Sequence, residues 1–464
     1  MKDRSVLSED GKQNRRIYER SELIMALGGG TWLTQSKVLP GSYINFVSAA
    51  KASAALSDRG TVTMPVELSW GPEDQVFTVE SGDFQKNSQE IFGYAYTDER
   101  MQMMREIFSH AKTAHFYRVN SGGVKASNKF ASARYSGTRG NDLKIVITKN
   151  ENYAEETNKV YDVATYLGTS CVDFQQGVQE MGDLRDNSYV TFLSSASLEH
   201  TASLPLTGGT DGSTDDGGYQ KYLDKIESYS FNTMGCACTE ETVKALFAAF
   251  TKRMREENGV KFQTVLFRYT KADHEGVISV ENGLAAAKDD ASLVYWTAGA
   301  EAACEVNRSL TNVTYDGELD VDAEYTQTQL EEAIKSGKLI FHKVNDEIRL
   351  LTDINTFVSV TDEKSADFSS NQTVRVLDQI GNDIAALFNR KYLGKVPNDE
   401  AGRISLWNDI VKHHEQLQSI RAIEGFSSSN VTVEIGDTKK SVLVTDYVTP
   451  VNAMEQLYMT VIVQ

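Results

Sequence analysis

The groups in this 464-residue chain that could carry chemistry are few. Seven histidines, His110, His115, His200, His274, His342, His413 and His414, are the candidates for moving protons. His200 follows Ser194, Ser195 and Ser197, the nearest approach to a nucleophile beside a base. Neighbours in sequence seldom form a triad, however, and no G-x-S-x-G elbow occurs. The segment GGTDGSTDDGG offers Asp211, Asp215 and Asp216 as oxygen ligands, but without the calcium-loop spacing that ends in a glutamate. A solvated loop is the better reading. Cys236 and Cys238 form C-x-C with no second pair at zinc spacing, and with Cys171 and Cys304 they are too scattered for a disulfide framework. They read as small buried hydrophobes of a protein made in a reducing cytosol. His413-His414 falls on a helical pattern without a partner at metal spacing, His414 near its apolar face. No GxxxxGK[ST] loop points to ATP. The sequence therefore predicts no catalytic, cofactor-binding or metal-binding residue, and no enzyme.

Composition narrows the field further. Hydrophobic residues make up 40% and charged residues 24%, as in ordinary folded domains. The length implies about three or four of them. A net charge of −18, from 47 basic and 65 acidic side chains, argues against a phosphate-binding face and so against direct nucleic-acid partners. No run approaches the ~18 apolar residues of a membrane span. The first residues carry RRIYER but no apolar signal core.

Residues 1–27 are polar and read as a flexible tail or an upstream extension, with Met25 as an alternative start. Residues 28–50 follow a triple glycine and contain Pro40-Gly41, without helical periodicity. Tyr43, Ile44, Phe46 and Val47 there form a short β-prone run, so an extended arm is expected. Over 51–128 the reading is an α+β module. TVTMPVELSW alternates as a half-buried strand, and Asp98 caps a helix carrying Met101, Met104, Ile107 and Phe108. Short strands between Gly/Asn turns make 129–203 a β-sandwich. After the flexible-looking stretch Leu204 to Tyr219, strand and helix alternate over 204–358, with Thr239 as one helix cap, so an α/β domain is expected. The rest, 359–464, reads as two amphipathic helices, a hairpin from VTVEI to SVLVTDY, and the terminal run QLYMTVIV.

That last run is the most informative. Leu457, Met459, Val461 and Val463 would point one way along a strand and Tyr458 and Ile462 the other, so both faces need burial. Burying six such side chains contributes roughly 9–12 kcal/mol gross. Ordering eight backbone residues costs about 8–16 kcal/mol, and ladder hydrogen bonds return at most ~1 kcal/mol each. The balance is near zero, so the strand needs a ready-made sheet with a gap. The chain's own hairpin and the hairpin of a second copy both qualify, the second by strand addition. An end-to-body contact between copies is heterologous and builds rings or helical tubes.

Four segments carry a family resemblance. GGGTW with KVLPGSYINFVSA at 37–49 resembles the start of contractile tail sheath proteins of phages and defective prophages of Gram-positive bacteria. YSGTRGNDLKI at 135–145 resembles their β-sandwich motif, and the Gly/Asp-rich loop at 207–218 the entry to their subtilisin-like domain. TPVNAMEQLYMTVIVQ at 449–464 resembles their C-terminal arm. The likeness runs in order from about residue 28; residues 1–24 have no counterpart. It implies a multidomain α/β and β fold: β-rich N-terminal modules, a three-layer subtilisin-like domain without a triad, and an α+β C-terminal domain with exchanged terminal strands. It also implies hexameric rings stacked helically around a tail tube. Tyr43, Ile44, Phe46 and Val47 in one arm, and Leu457, Tyr458, Met459, Val461, Ile462 and Val463 in the other, would contact neighbouring subunits. The partners implied are further copies, the tail tube protein, and baseplate and tail terminator proteins. The place implied is a virion tail or tail-like particle assembled in the bacterial cytoplasm.

Overall fold

The computed structural model describes residues 56–155 and 158–463. The sequence readings of a tail over 1–27 and an arm over 28–50 lie outside the described residues.

The segment TVTMPV forms β1 (Thr61–Val66), and every residue from Val62 to Val66 is buried. A half-buried strand was expected. Instead β1 is interior to a sheet covered on both faces, which removes the polar-out requirement behind alternation. Pro65 is tolerated because β10 (Thr233–Cys236) pairs only with Val62 and Thr63, leaving that end of β1 bonded to one neighbour. From β1 the chain runs through β2 (Val76–Glu80), α1 (Ser81–Phe92) and α2 (Gln102–Phe108) to β3 (Thr113–Arg118). Asp98 caps the 3-10 turn that leads into α2, accepting from the Arg100 N–H at 3.0 Å.

A β-sandwich follows. One sheet holds β7 (Ser170–Val178), β6 (Tyr161–Leu167), β5 (Leu143–Lys149) and β9 (Thr201–Pro205) in that order; the other pairs β4 (Ala131–Ala133) with β8 (Val190–Phe192). Leu143, Ile145 and Ile147 of β5 alternate into its core, and Trp70 enters from outside to meet Tyr135 and Tyr189.

After α3 (Asp216–Ile226) the chain returns to the first sheet with β10, α4 (Glu241–Glu256), β11 (Gln263–Phe267), β12 (Val277–Val280) and α5 (Leu293–Ala303). The six strands lie in the order β12-β11-β10-β1-β3-β2, all parallel except the edge strand β2. The sequence reading set 51–128 apart from 204–358; their strands share this one sheet, and the β-sandwich interrupts it between β3 and β10. The physical reason is burial. Val62 and Met64 pack among α1, α2 and α5, and Tyr117, Met234 and Leu266 pack among α3 and α4 on the other face. Segment 51–128 supplies helices to one face only, so β1 and β3 depend on α3 and α4 of 204–358 to cover the other. Helix α4 begins one residue later than expected, with Glu240 rather than Thr239 at its cap.

The stretch expected to be flexible, 204–219, is knitted down. Single bridges pair Thr207, Thr210 and Ser213 with Ser127, Val124 and Ser121. The Asp211 carbonyl accepts from Arg118 at 3.0 Å and from Asn120 at 2.8 Å, and its carboxylate accepts from the Thr138 N–H at 2.6 Å. Gly137 (φ +133°) lies against the Ser69 carbonyl where a Cβ would overlap it. Composition signalled a loop, but within it Gly209, Gly212 and Gly218 lie where a Cβ would overlap the Gly137, Ser121 and Val119 carbonyls.

Beyond α6 (Gln327–Lys335) and the hairpin β13 (Phe341–Val344) and β14 (Glu347–Leu350), two long helices dominate: α7 (Asn371–Leu387) and α8 (Glu400–Ser419). Ser370 caps α7 and Asp399 caps α8. A last hairpin, β15 (Val431–Ile435) and β16 (Val442–Asp446), packs on α8.

Candidate subunit interface at the C-terminal end

The terminal hairpin is held from one side. Val431, Val433 and Val442 pack with Leu406 and Ile410 of α8 and with Tyr392, in the π-helical turn that follows α7. The Trp407 indole donates to the Val431 carbonyl at 2.9 Å. His414, fully buried, reaches the Asp446 carboxylate at 2.8 Å and the Ile410 carbonyl at 2.9 Å, and His413 reaches Asp383 at 3.0 Å. The paired histidines thus anchor helix and hairpin; the carboxylates they meet, far off in sequence, were invisible to spacing arguments. β15 and β16 pair only with each other among the described residues. In such a two-stranded ladder alternate N–H and C=O groups of each strand point outward without a partner, and two strands alone are marginal. Ile435 and Leu443, each 56% exposed, add apolar surface beside those edges.

The arm does not fill them. From Val451 to Val463 the chain has no regular structure. Leu457, Tyr458, Met459, Val461, Ile462 and Val463 are 72–90% exposed, so of the two sheets considered, the chain's own hairpin is not the one used here. Tyr43, Ile44, Phe46 and Val47 lie outside the described residues.

A buried ionic cluster fixes the platform under this region. Arg375 of α7 donates to Glu301 of α5 and to Asp353, each at 2.5 Å, with all three side chains 1% exposed. Burial and the neighbouring Asp353 charge drive the Glu301 carboxyl well above its ordinary range. Burial also opposes ionisation of Asp353, but Arg375 outweighs it and holds that carboxyl below its usual value. Within the cluster, then, the environment favours the anion at Asp353 and disfavours a second one at Glu301. A second buried pair, Arg255 to Asp378 at 2.6 Å, joins α4 to α7.

The residues weighed for chemistry do other work. His200, Ser194, Ser195 and Ser197 are exposed, and no hydrogen bond joins them among the described residues. Asp215 caps α3 through the Gly218 N–H. Cys236 and Cys304 are buried, Cys238 half-buried and Cys171 exposed. Among the described residues no group of three or more His, Cys, Asp or Glu could hold a metal ion.

Four family models match the chain in order. They are the tail sheath protein domain III N-terminal region (59–119), the phage tail sheath β-sandwich domain (121–211), the phage tail sheath central domain (212–356) and the phage tail sheath C-terminal domain (363–464). The phage-like element PBSX protein XkdK of Bacillus subtilis is 33% identical over 94% of this chain and 99% of its own length. The crystal structure of a sheath tail protein from Desulfitobacterium hafniense is 35% identical, covering 90% of this chain and 99% of that one, with a TM-score of 0.76. The helical sheath of the anti-feeding prophage, in its contracted state, shares the fold at 12% identity, covering 92% and 99% of the two chains, with a TM-score of 0.54. The chain belongs to the phage tail sheath protein family.

Proposed function

We propose that this protein is the subunit of a contractile sheath. Copies stack as hexameric rings around a tail tube, in a phage tail or a tail-like particle assembled in the bacterial cytoplasm. Contraction drives the tube through a target envelope. The arms at both chain ends complete sheets in neighbouring copies, and the tube, baseplate and tail terminator proteins are the other partners. Domain boundaries near 128, 203 and 358 and a subtilisin-like descent for the central α/β layers belong to the same proposal.

The observation that carries it is a mismatch inside one chain. An apolar arm with both faces exposed follows the last hairpin, and among the described residues no further strand pairs with either edge of that hairpin. One copy's surplus matches another's deficit, and a heterologous contact of that kind propagates. Because the arm is a tether, subunits can rotate and slide during contraction while remaining joined. Negative-stain microscopy of the purified protein at rising concentration tests the proposal. Rings or tubes are expected; a full-length protein that stays monomeric throughout would overturn it.

A further inference from the structure

The root of the C-terminal arm is bound to the body in a way that its tip is not. Val451 donates to the Ala422 carbonyl at 2.9 Å, closing a bridge between Pro450 and Ile423. The Asn452 side-chain oxygen accepts from Ser370 and Thr373, each at 3.2 Å, at the start of α7. The Ala453 N–H donates to Gln372 Oε1 at 2.9 Å. Glu455 then spreads its carboxylate over two threonines, accepting from Thr311 Oγ1 at 2.7 Å and from Thr352 Oγ1 at 2.9 Å. Thr352 is only 7% exposed. Thr311 Oγ1 itself accepts from the Asp353 N–H at 3.0 Å, which leaves its proton directed to Glu455. Past Glu455 the one side-chain bond among the described residues, Tyr458 to Gln456, stays within the arm.

We propose that Asn452 and Glu455 form a clamp that sets the exit direction and register of the donated strand, Glu455 acting as its principal positioning residue. This rests on the strand-donation reading above. Two pins three residues apart, ~10 Å along an extended chain, define a vector. The first donor side chain, Leu457, comes two residues after the second pin. Register matters because a slip of one residue would exchange Leu457, Met459, Val461 and Val463 with Tyr458 and Ile462. The clamp also reaches the buried cluster through Asp353, so the tethered strand is fastened to a rigid part of the body.

The test uses full-length protein. Glu455→Ala removes an exposed side chain, so thermal unfolding of the unassembled subunit is expected to be unchanged. Freeing the arm back to Ala453, which stays bonded to Gln372, lengthens the tether and lowers effective concentration. With loss of direction and register added, the critical concentration for assembly should rise at least about fivefold. Glu455→Gln, which keeps one acceptor, should fall between. A synthetic peptide of the Gln456–Gln464 sequence should block assembly of both proteins by occupying the acceptor sheet. If the peptide blocks assembly but Glu455→Ala assembles at the parent concentration, the clamp is refuted and donation stands. If the peptide has no effect on either protein, the donation reading fails and takes the clamp with it.

Discussion

Replacing Glu301 with Gln should make the protein relatively more stable as pH rises, because burial and the neighbouring Asp353 charge disfavour ionisation of the wild-type carboxyl. Glu301 sits 1% exposed beside the Asp353 anion, and its carboxyl is held well above the ordinary value of 4.5. A carboxyl with a raised folded-state value lends its full stability below the unfolded value. That stability is lost progressively as pH climbs from there toward the folded value. The limiting slope is about 1.4 kcal/mol per pH unit. As pH rises above the ordinary carboxyl value, the difference between Glu301→Gln and wild type should therefore move in the variant's favour, by no more than that slope. Gln keeps the shape and an acceptor for Arg375, so at pH 5 its cost should stay within about 1 kcal/mol. Arg375→Leu behaves oppositely: it strands the Asp353 charge and should cost roughly 3–5 kcal/mol at pH 7. Urea unfolding at pH 5, 6 and 7, below the assembly concentration, reads all three proteins. A pH-independent difference for Glu301→Gln, or an Arg375→Leu cost below about 1 kcal/mol, would refute the pairing of Arg375 with Asp353 and the raised Glu301 carboxyl.

Gly137→Ala should lower stability by at least about 2 kcal/mol, since the added Cβ meets the Ser69 carbonyl and φ is +133°. Gly168→Ala, at φ +61° in open space, serves as the thermal-unfolding control and should cost about 1 kcal/mol or less. In a native thiol titration Cys171 should react fast and Cys238 more slowly. Burial pushes the Cys304 thiol up to about 12 and raises Cys236 as well, so a fast third equivalent would contradict the fold. Val461→Asp changes a side chain 72% exposed in the single chain; assembly should be lost in sedimentation while the unfolding curve of the subunit stays put.

How far the sequence could be read differs by region. The helices of the C-terminal part were legible because Val374 and Leu387, then Ile410 and Leu417, fall on helical spacings, with Gly394 and Pro397 as the break between them. The joining of β1 to β10 was not, because pairing partners separated by an inserted sandwich leave no local pattern. Alternation in TVTMPVELSW even misdirected: Thr63 is fully buried, satisfied by the Tyr222 hydroxyl at 2.8 Å, and Trp70 belongs to a different core. The glycine-rich loop at 207–218 misled for the same reason, since composition cannot separate glycine used for freedom from glycine used for close approach. Of the interface, the apolar arm was readable from its side chains. The clamp at Asn452 and Glu455 was not, because its threonine and serine partners come from segments 79 to 144 residues away.

Deleting Gln456–Gln464 and measuring the size of the product by analytical ultracentrifugation tests strand donation most directly. The account predicts a soluble subunit with the wild-type unfolding curve that no longer assembles at any concentration at which the full chain does. A truncated chain that still polymerises like the parent, or one whose C-terminal helices and hairpin unfold, would contradict it.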